Sequence, residues 1–260
     1  MATKTTKKLI KDLDDKDVKI RSAAAKHPNA TPEVILKALK DENWFVRIAA
    51  ARNPNATPEV LRKAMKDEAW RVRRNAAGNR NATPELLMKA MEDENLDTRM
   101  AAAGNRNATP EIMLKALEDE YYRVSWNAAG NRNATPEVLL KALKYNEYHV
   151  RCAAAGHPNA TPKVLLKALK DEIYWVRIYA ASNPNATPEV LLKAIEDEDT
   201  NVRSAAAENP NFKKLQFPLE KWLQFVSTGI PVKNVPSWVK KTSEYKSTRI
   251  LSKLAQSTEA

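Results

Sequence analysis

Two kinds of apolar segment alternate along this chain at a fixed interval. In Pro58-Glu-Val-Leu-Arg-Lys-Ala-Met65, Val60, Leu61, Ala64 and Met65 share one helical face, while Lys63 recurs on the opposite, solvated side. In Val46-Arg-Ile-Ala-Ala-Ala51, residues Val46, Arg47, Ala50 and Ala51 form an i, i+1, i+4, i+5 face that must pack. The Thr-Pro step before the first kind returns at Pro32, Pro58, Pro84, Pro110, Pro136, Pro162 and Pro188, always 26 residues on. Thr57 suits an N-cap, Pro58 the first helical position, and Glu59 the acid-favouring end of the helix dipole. The second segment closes on Gly or another small or polar residue, followed by Asn-Pro or Asn-Arg. The spacing therefore predicts two helices per unit. Neither can bury its apolar face alone, so the units must stack.

The pattern V-R-x-x-A-A, then N-P-N, then T-P-E-V-L-L, resembles the leucine-rich repeat variant family, a relative of the HEAT-like helical repeats. The resemblance covers roughly residues 16 to 211. It implies an all-α fold, a right-handed α-solenoid of about eight 26-residue two-helix repeats with a helical C-terminal cap. Short and long helices should alternate, the short one being the Val-Arg helix and of 3₁₀ character. Function does not follow, because such stacks are scaffolds whose exposed side chains do the work.

Residues 1–15 read as an N-terminal cap, with Leu9, Ile10 and Leu13 on its apolar side. Residues 16–211 form the repeats. The eighth unit breaks at Phe212-Lys-Lys-Leu, where Ala-Thr-Pro is due, and residues 212–260 read as a basic helical cap and tail. There Trp222, Phe225 and Trp238 are expected to cover the open end of the stack.

The formal net charge of +11 points to polyanions until it is divided along the chain. Residues 212–260 carry +6 of it, whereas the repeats carry 30 basic against 26 acidic residues. Only the placement of charge within the repeats is informative. The single cysteine, Cys152, excludes an intramolecular disulfide and a cysteine-rich metal site. Neither a signal-peptide core nor a membrane-length apolar run occurs, so a cytoplasmic, monomeric protein away from membranes is expected.

Comparing the units with one another separates fixed from free positions. The arginine column of Arg21, Arg47, Arg73, Arg99, Arg151, Arg177 and Arg203 lies beside the packing face and near Asp-Glu pairs, which predicts a structural ladder of ion pairs. The Asn29, Asn55, Asn81 column is expected to supply turn hydrogen bonds. Positions equivalent to 45, 48, 49 and 52 vary freely on one stripe of the Val-Arg helix, expected on a concave side. Arg71, Arg74, Asn75, Arg123, Trp126, Asn127, Trp175 and Tyr179 fall on it. Beside it, the central units read Gly-Asn-Arg-Asn and place Arg80, Arg106 and Arg132 in one loop column. There Gly78, Gly104 and Gly130 would let a ligand approach the backbone closely. Repeated arginines with aromatics suit phosphates and stacked bases, so nucleic acid, DNA first, is the leading partner and a protein ligand the alternative.

No metal-ligand spacing, nucleophile elbow, glycine-rich phosphate loop or cofactor motif occurs. One constellation keeps an enzyme in view. Asp97 is the acid on the central stripe, between Arg71 and Arg74 on one side and Arg123 and Trp126 on the other. In outline this is similar to HEAT-like DNA glycosylases of the AlkD kind, which would make Asp97 catalytic. The plainer reading pairs Asp97 with a neighbouring arginine.

Overall fold

The computed structural model describes residues 3–213, with Leu223, Gln224, Ser227, Lys240 and Thr248 beyond them. The described residues form seventeen α-helices and no strand. The chain divides into two compact units, Met1–Ala134 and Thr135–Ala260. The first holds α1 (Lys4–Asp12), α2 (Val18–Lys26), α3 (Pro32–Ala38), α4 (Trp44–Arg52), α5 (Pro58–Ala64), α6 (Trp70–Ala77), α7 (Pro84–Ala90), α8 (Leu96–Ala103), α9 (Pro110–Ala116) and α10 (Tyr122–Ala129). The second holds α11 (Pro136–Ala142), α12 (Tyr148–Ala155), α13 (Pro162–Ala168), α14 (Tyr174–Ser182), α15 (Pro188–Ala194), α16 (Thr200–Glu208) and α17 (Pro210–Lys213).

Every Thr-Pro helix begins with Pro at its first positions and Thr at the N-cap, in extended conformation. The Thr57 hydroxyl accepts from the Val60 amide, and Thr83 from Leu86. Asn43 and Asn95 cap α4 and α8 in the same way, accepting from Phe45 and Asp97. Helix lengths correct the expectation. The Thr-Pro helices are the shorter ones at 7 residues, and the Val-Arg helices of the repeats run to 8 or 9. Both are α-helices. Tight i→i+3 bonds are confined to helix ends and loops; as each Thr-Pro helix exits they run from Lys66 to Lys63 and from Asp67 to Ala64. That tightening ends the helix early and presents Asp67 to the repeat before it.

Val60, Leu61 and Ala64 pack with Val46, Ala50 and Ala51 in a core repeated unit by unit, all of them buried. Full burial of a leucine such as Leu61 contributes about 1.5–3 kcal/mol. Successive Val-Arg helices within each unit pack closely on one another, because alanines at the facing positions let the backbones approach. Successive Thr-Pro helices touch sparingly. The Val-Arg helices are thus the closely packed layer, and they carry the variable stripe on the edge that packing leaves free.

The arginine ladder exists, and it runs between repeats. Arg47 grips the next repeat's Asp67 with two bonds, Nε at 2.7 Å and Nη2 at 3.0 Å, and reaches Glu68 at 3.2 Å. Its Nη1 donates to the carbonyls of Asp41 and Glu42. Arg21, Arg73, Arg99, Arg151 and Arg177 repeat the clamp on Asp41, Asp93, Asp119, Asp171 and Asp197. Arg203 ends it, holding the carbonyls of Asp197 and Glu198. In one register Ser125 takes the arginine position and Tyr145 the aspartate position, so both members change together. The Ser125 hydroxyl donates instead to the Ala116 carbonyl.

The asparagine column also acts between repeats, which corrects its assignment to local turns. Asn55 donates from Nδ2 to the carbonyls of Pro28 and Ala30. A second, buried column lies two residues earlier: Asn53 donates to Ala25 and His27, and its Oδ1 accepts from the Asn55 amide. Buried carbonyls at the helix ends thereby find donors that the backbone does not supply.

At the start of the first unit, α1 packs on α2 and α3 with Leu9 and Leu13 buried. In the second unit Phe212, within α17, occupies the column that alanine fills elsewhere and is fully buried. Trp222, Phe225 and Trp238 lie outside the described residues.

Candidate nucleic-acid interface

The stripe is exposed because the opposite edge of the same helices is consumed in packing. In α6, Val72, Arg73, Ala76 and Ala77 are buried, whereas Arg71 and Arg74 are exposed and Asn75 half-buried. Asn75 folds back to donate to the Arg71 carbonyl, and Asn127 does the same to Arg123 in α10.

In the first unit the stripe lines a groove of about 790 Å³. Phe45, Ile48 and Arg52 form one wall, and Arg71, Arg74, Asn75, Gly78 and Arg80 the other. Four arginines face this groove and no carboxylate lines it. None of the four belongs to the ladder of ion pairs, so their charge is uncommitted to an acid among the described residues.

Aromatic rings hold part of this wall in place. Phe45 stacks on Trp44 at 3.8 Å between centroids and 25° between planes, and stays 57% exposed. The Arg71 guanidinium lies over both Trp44, at 5.2 Å, and Trp70, at 4.4 Å. The second unit repeats the device, with His149 against Tyr148 and Trp175 against Tyr174. The half-buried residue just before the stripe is thus a support for the first stripe residue. Sequence comparison passed over this support. Its signal is the period itself, which puts Trp44, Trp70, Tyr122, Tyr148 and Tyr174 in one column.

Among solved structures, one described as a leucine-rich repeat variant with a novel repetitive structural motif aligns over 77% of this chain and 79% of its own. The TM-score is 0.59 and the identity 24%. The chain has the leucine-rich repeat variant fold. An X-ray structure of YibA from E. coli covers 95% of this chain and 96% of its own, at 15% identity and a TM-score of 0.43. No protein-family model and no curated protein matches the chain.

On this leucine-rich repeat variant scaffold the expected site residues separate into groups. Arg71, Arg74, Asn75 and Arg80 share the groove. Arg106, Arg123, Trp126 and Arg132 are exposed further along the first unit, outside the groove lining, with Asn127 half-buried among them. Trp175 and Tyr179 are exposed on α14 in the second unit.

Two of the helix-closing glycines answer to packing, while Gly78 and Gly130 meet no neighbouring side chain closer than 3.9 Å. All four helix-closing glycines have right-handed backbone conformations. A methyl group at Gly104 would come within 3.1 Å of the Asn127 Oδ1, and at Gly156 within 2.9 Å of the Tyr179 ring. At these two positions the missing side chain makes room for a side chain of the next repeat. Gly78 does line the groove.

Asp97 sits in the first turn of α8, with its amide bonded to the Asn95 cap. No ion pair to Asp97 occurs among the described residues, so the expected arginine partner is absent. The carboxylate belongs to the helix N-terminus, which favours an acid, and it does not line the arginine groove. Cys152 is buried, and its thiol is pushed up to about 11, first by burial and then by Asp171, against Arg151. No cluster of three metal-ligating side chains occurs among the described residues, and none of their helices is long and apolar enough to cross a membrane.

Proposed function

We propose that the stripe face of this repeat scaffold binds the phosphate backbone of a nucleic acid, with the first-unit groove as its centre. One observation carries the reading: four arginines line a groove that no carboxylate lines. Elsewhere in the repeats an arginine is typically matched by an aspartate, as in the clamp. Uncompensated positive charge in a concave surface attracts a polyanion, and repetition at the helical period presents it as a row. Arg106 and Arg132 would extend that row.

Fluorescence anisotropy with labelled duplex DNA, single-stranded DNA and RNA at two salt concentrations tests this. Binding should weaken steeply with salt, and the Arg71→Gln/Arg74→Gln variant should lower both affinity and salt slope. Affinity unchanged in that variant would move the site elsewhere. A protein ligand is the second reading, favoured by Trp175 and Tyr179, which are 47% and 48% exposed on one helix. On that reading the repeats show no nucleic-acid affinity once residues 212–260 are removed.

A further inference from the structure

Charge alone does not account for the groove. Phosphate needs cations, yet a phenyl ring stands in the same wall as the arginines. Among the described residues Phe45 is the most exposed large apolar side chain, at 57%, and it lines the groove together with Arg52, Arg71, Arg74 and Arg80. An exposed phenylalanine on a loop would be unremarkable. This one is fixed on a helix and stacked on Trp44, and Trp44 in turn carries the Arg71 guanidinium, which also lies over Trp70. The rings and the guanidinium form one continuous stacked column: Phe45, Trp44, Arg71, Trp70. Its outer end is an aromatic face open to the groove, already ordered before any ligand arrives. Little side-chain entropy remains to be lost on binding.

We infer that the ligand of this groove is a single-stranded polynucleotide, one of whose bases stacks on Phe45 while its phosphates lie on the flanking arginines. This rests on the phosphate-binding reading and narrows it. In a duplex the base faces are already stacked on one another, so an aromatic platform gains nothing from them. In a single strand every base offers a π-face, and stacking on an aromatic side chain is tolerant of sequence. A volume of about 790 Å³ is in the range of sites for small ligands and has room for a short stretch of nucleotides. The paired rings Tyr148–His149 and Tyr174–Trp175 repeat the supported-platform arrangement in the second unit.

The test uses the full chain and four labelled oligonucleotides of equal length: single-stranded DNA, single-stranded RNA, duplex DNA, and a single strand with abasic sites throughout. Single strands are expected to bind at least tenfold more tightly than the duplex and the abasic strand. The two sugar types show which polynucleotide is preferred. Phe45→Ala should weaken single-strand binding by about tenfold, within the range for one stacked base, and leave the salt slope unchanged. Phe45→Trp should retain the affinity. Arg74→Gln should lower the salt slope instead. Phe45 is exposed, so circular dichroism should show both Phe45 variants fully helical. Equal affinity for duplex and single strand, an abasic strand that binds like the intact one, or no effect of Phe45→Ala would each overturn the inference and leave the phosphate reading standing. Absence of binding to all four probes at low salt would remove both.

Discussion

Arg47 donates all five of its N–H groups, three to the carboxylates of Asp67 and Glu68 and two to main-chain carbonyls. Its pKa is raised, first by the bond to Asp67, against the lowering effect of burial. A buried ion pair is weak evidence of net stability, but removing one partner strands the other. Arg47→Ala should destabilise by about 3 kcal/mol in a urea titration, and Arg47→Lys should recover only part, since an ammonium cannot make the two-pronged contact. A loss below about 0.5 kcal/mol would make the clamp an ornament of the surface. Cys152 gives a pH prediction. Its thiol is raised to about 11 in the fold, above roughly 8.5 for a free thiol. Its contribution to stability is therefore complete below about 8.5 and is lost as pH rises through 11. Alkylation by iodoacetamide at pH 8 should be slow in the native protein and fast in denaturant; equal rates would mean an open thiol.

At the scale of the helix, one element has two faces with opposite tolerances. Ala102 is fully buried on α8, and Met100, two residues earlier, is half-exposed on the stripe. Ala102→Leu should overpack the layer and destabilise by about 1–3 kcal/mol. Met100→Leu should stay within about 0.5 kcal/mol of the parent. Equal losses in a denaturant titration would contradict the assignment of faces. Both faces were legible from the period, because packing fixes Val, Arg and Ala at i, i+1, i+4 and i+5 and leaves the stripe free. Helix length was not legible. The Thr-Pro helix stops early because the amides of Lys66 and Asp67 turn to i−3 carbonyls, and the same exit recurs at Lys144 and Tyr145, where no clamp forms.

At the scale of the molecule, the repeats are close to charge balance and the first-unit groove is not. Arg80, Arg106 and Arg132 share one loop column and are exposed. If they line a phosphate path, changing all three to Gln should lower the slope of log K against log salt by about 3 units, one for each contact. Removing residues after 240 should also reduce the slope, through the tail's charge, without changing preference among ligands. A triple variant with the parent slope, alongside a truncation that abolishes binding, would transfer the site to the tail.

The sequence by itself determined the period, the two helices of each unit, their caps, and the face each one buries. These follow from local rules: Pro after Thr starts a helix, and apolar residues at helical spacing must be covered. It also marked which positions are free to meet a ligand. Which groups those positions meet was decided by the tertiary structure. The arginine column and the asparagine columns bridge residues 20 to 28 apart, and no local rule states which carbonyl or carboxylate lies across a repeat boundary. Asp97 and Gly104 were read from their neighbours on the stripe, yet one keeps to its helix end and the other makes room for Asn127. The groove that unites Phe45 with Arg52, Arg74 and Arg80 exists only once stacked helices set residues from different repeats side by side.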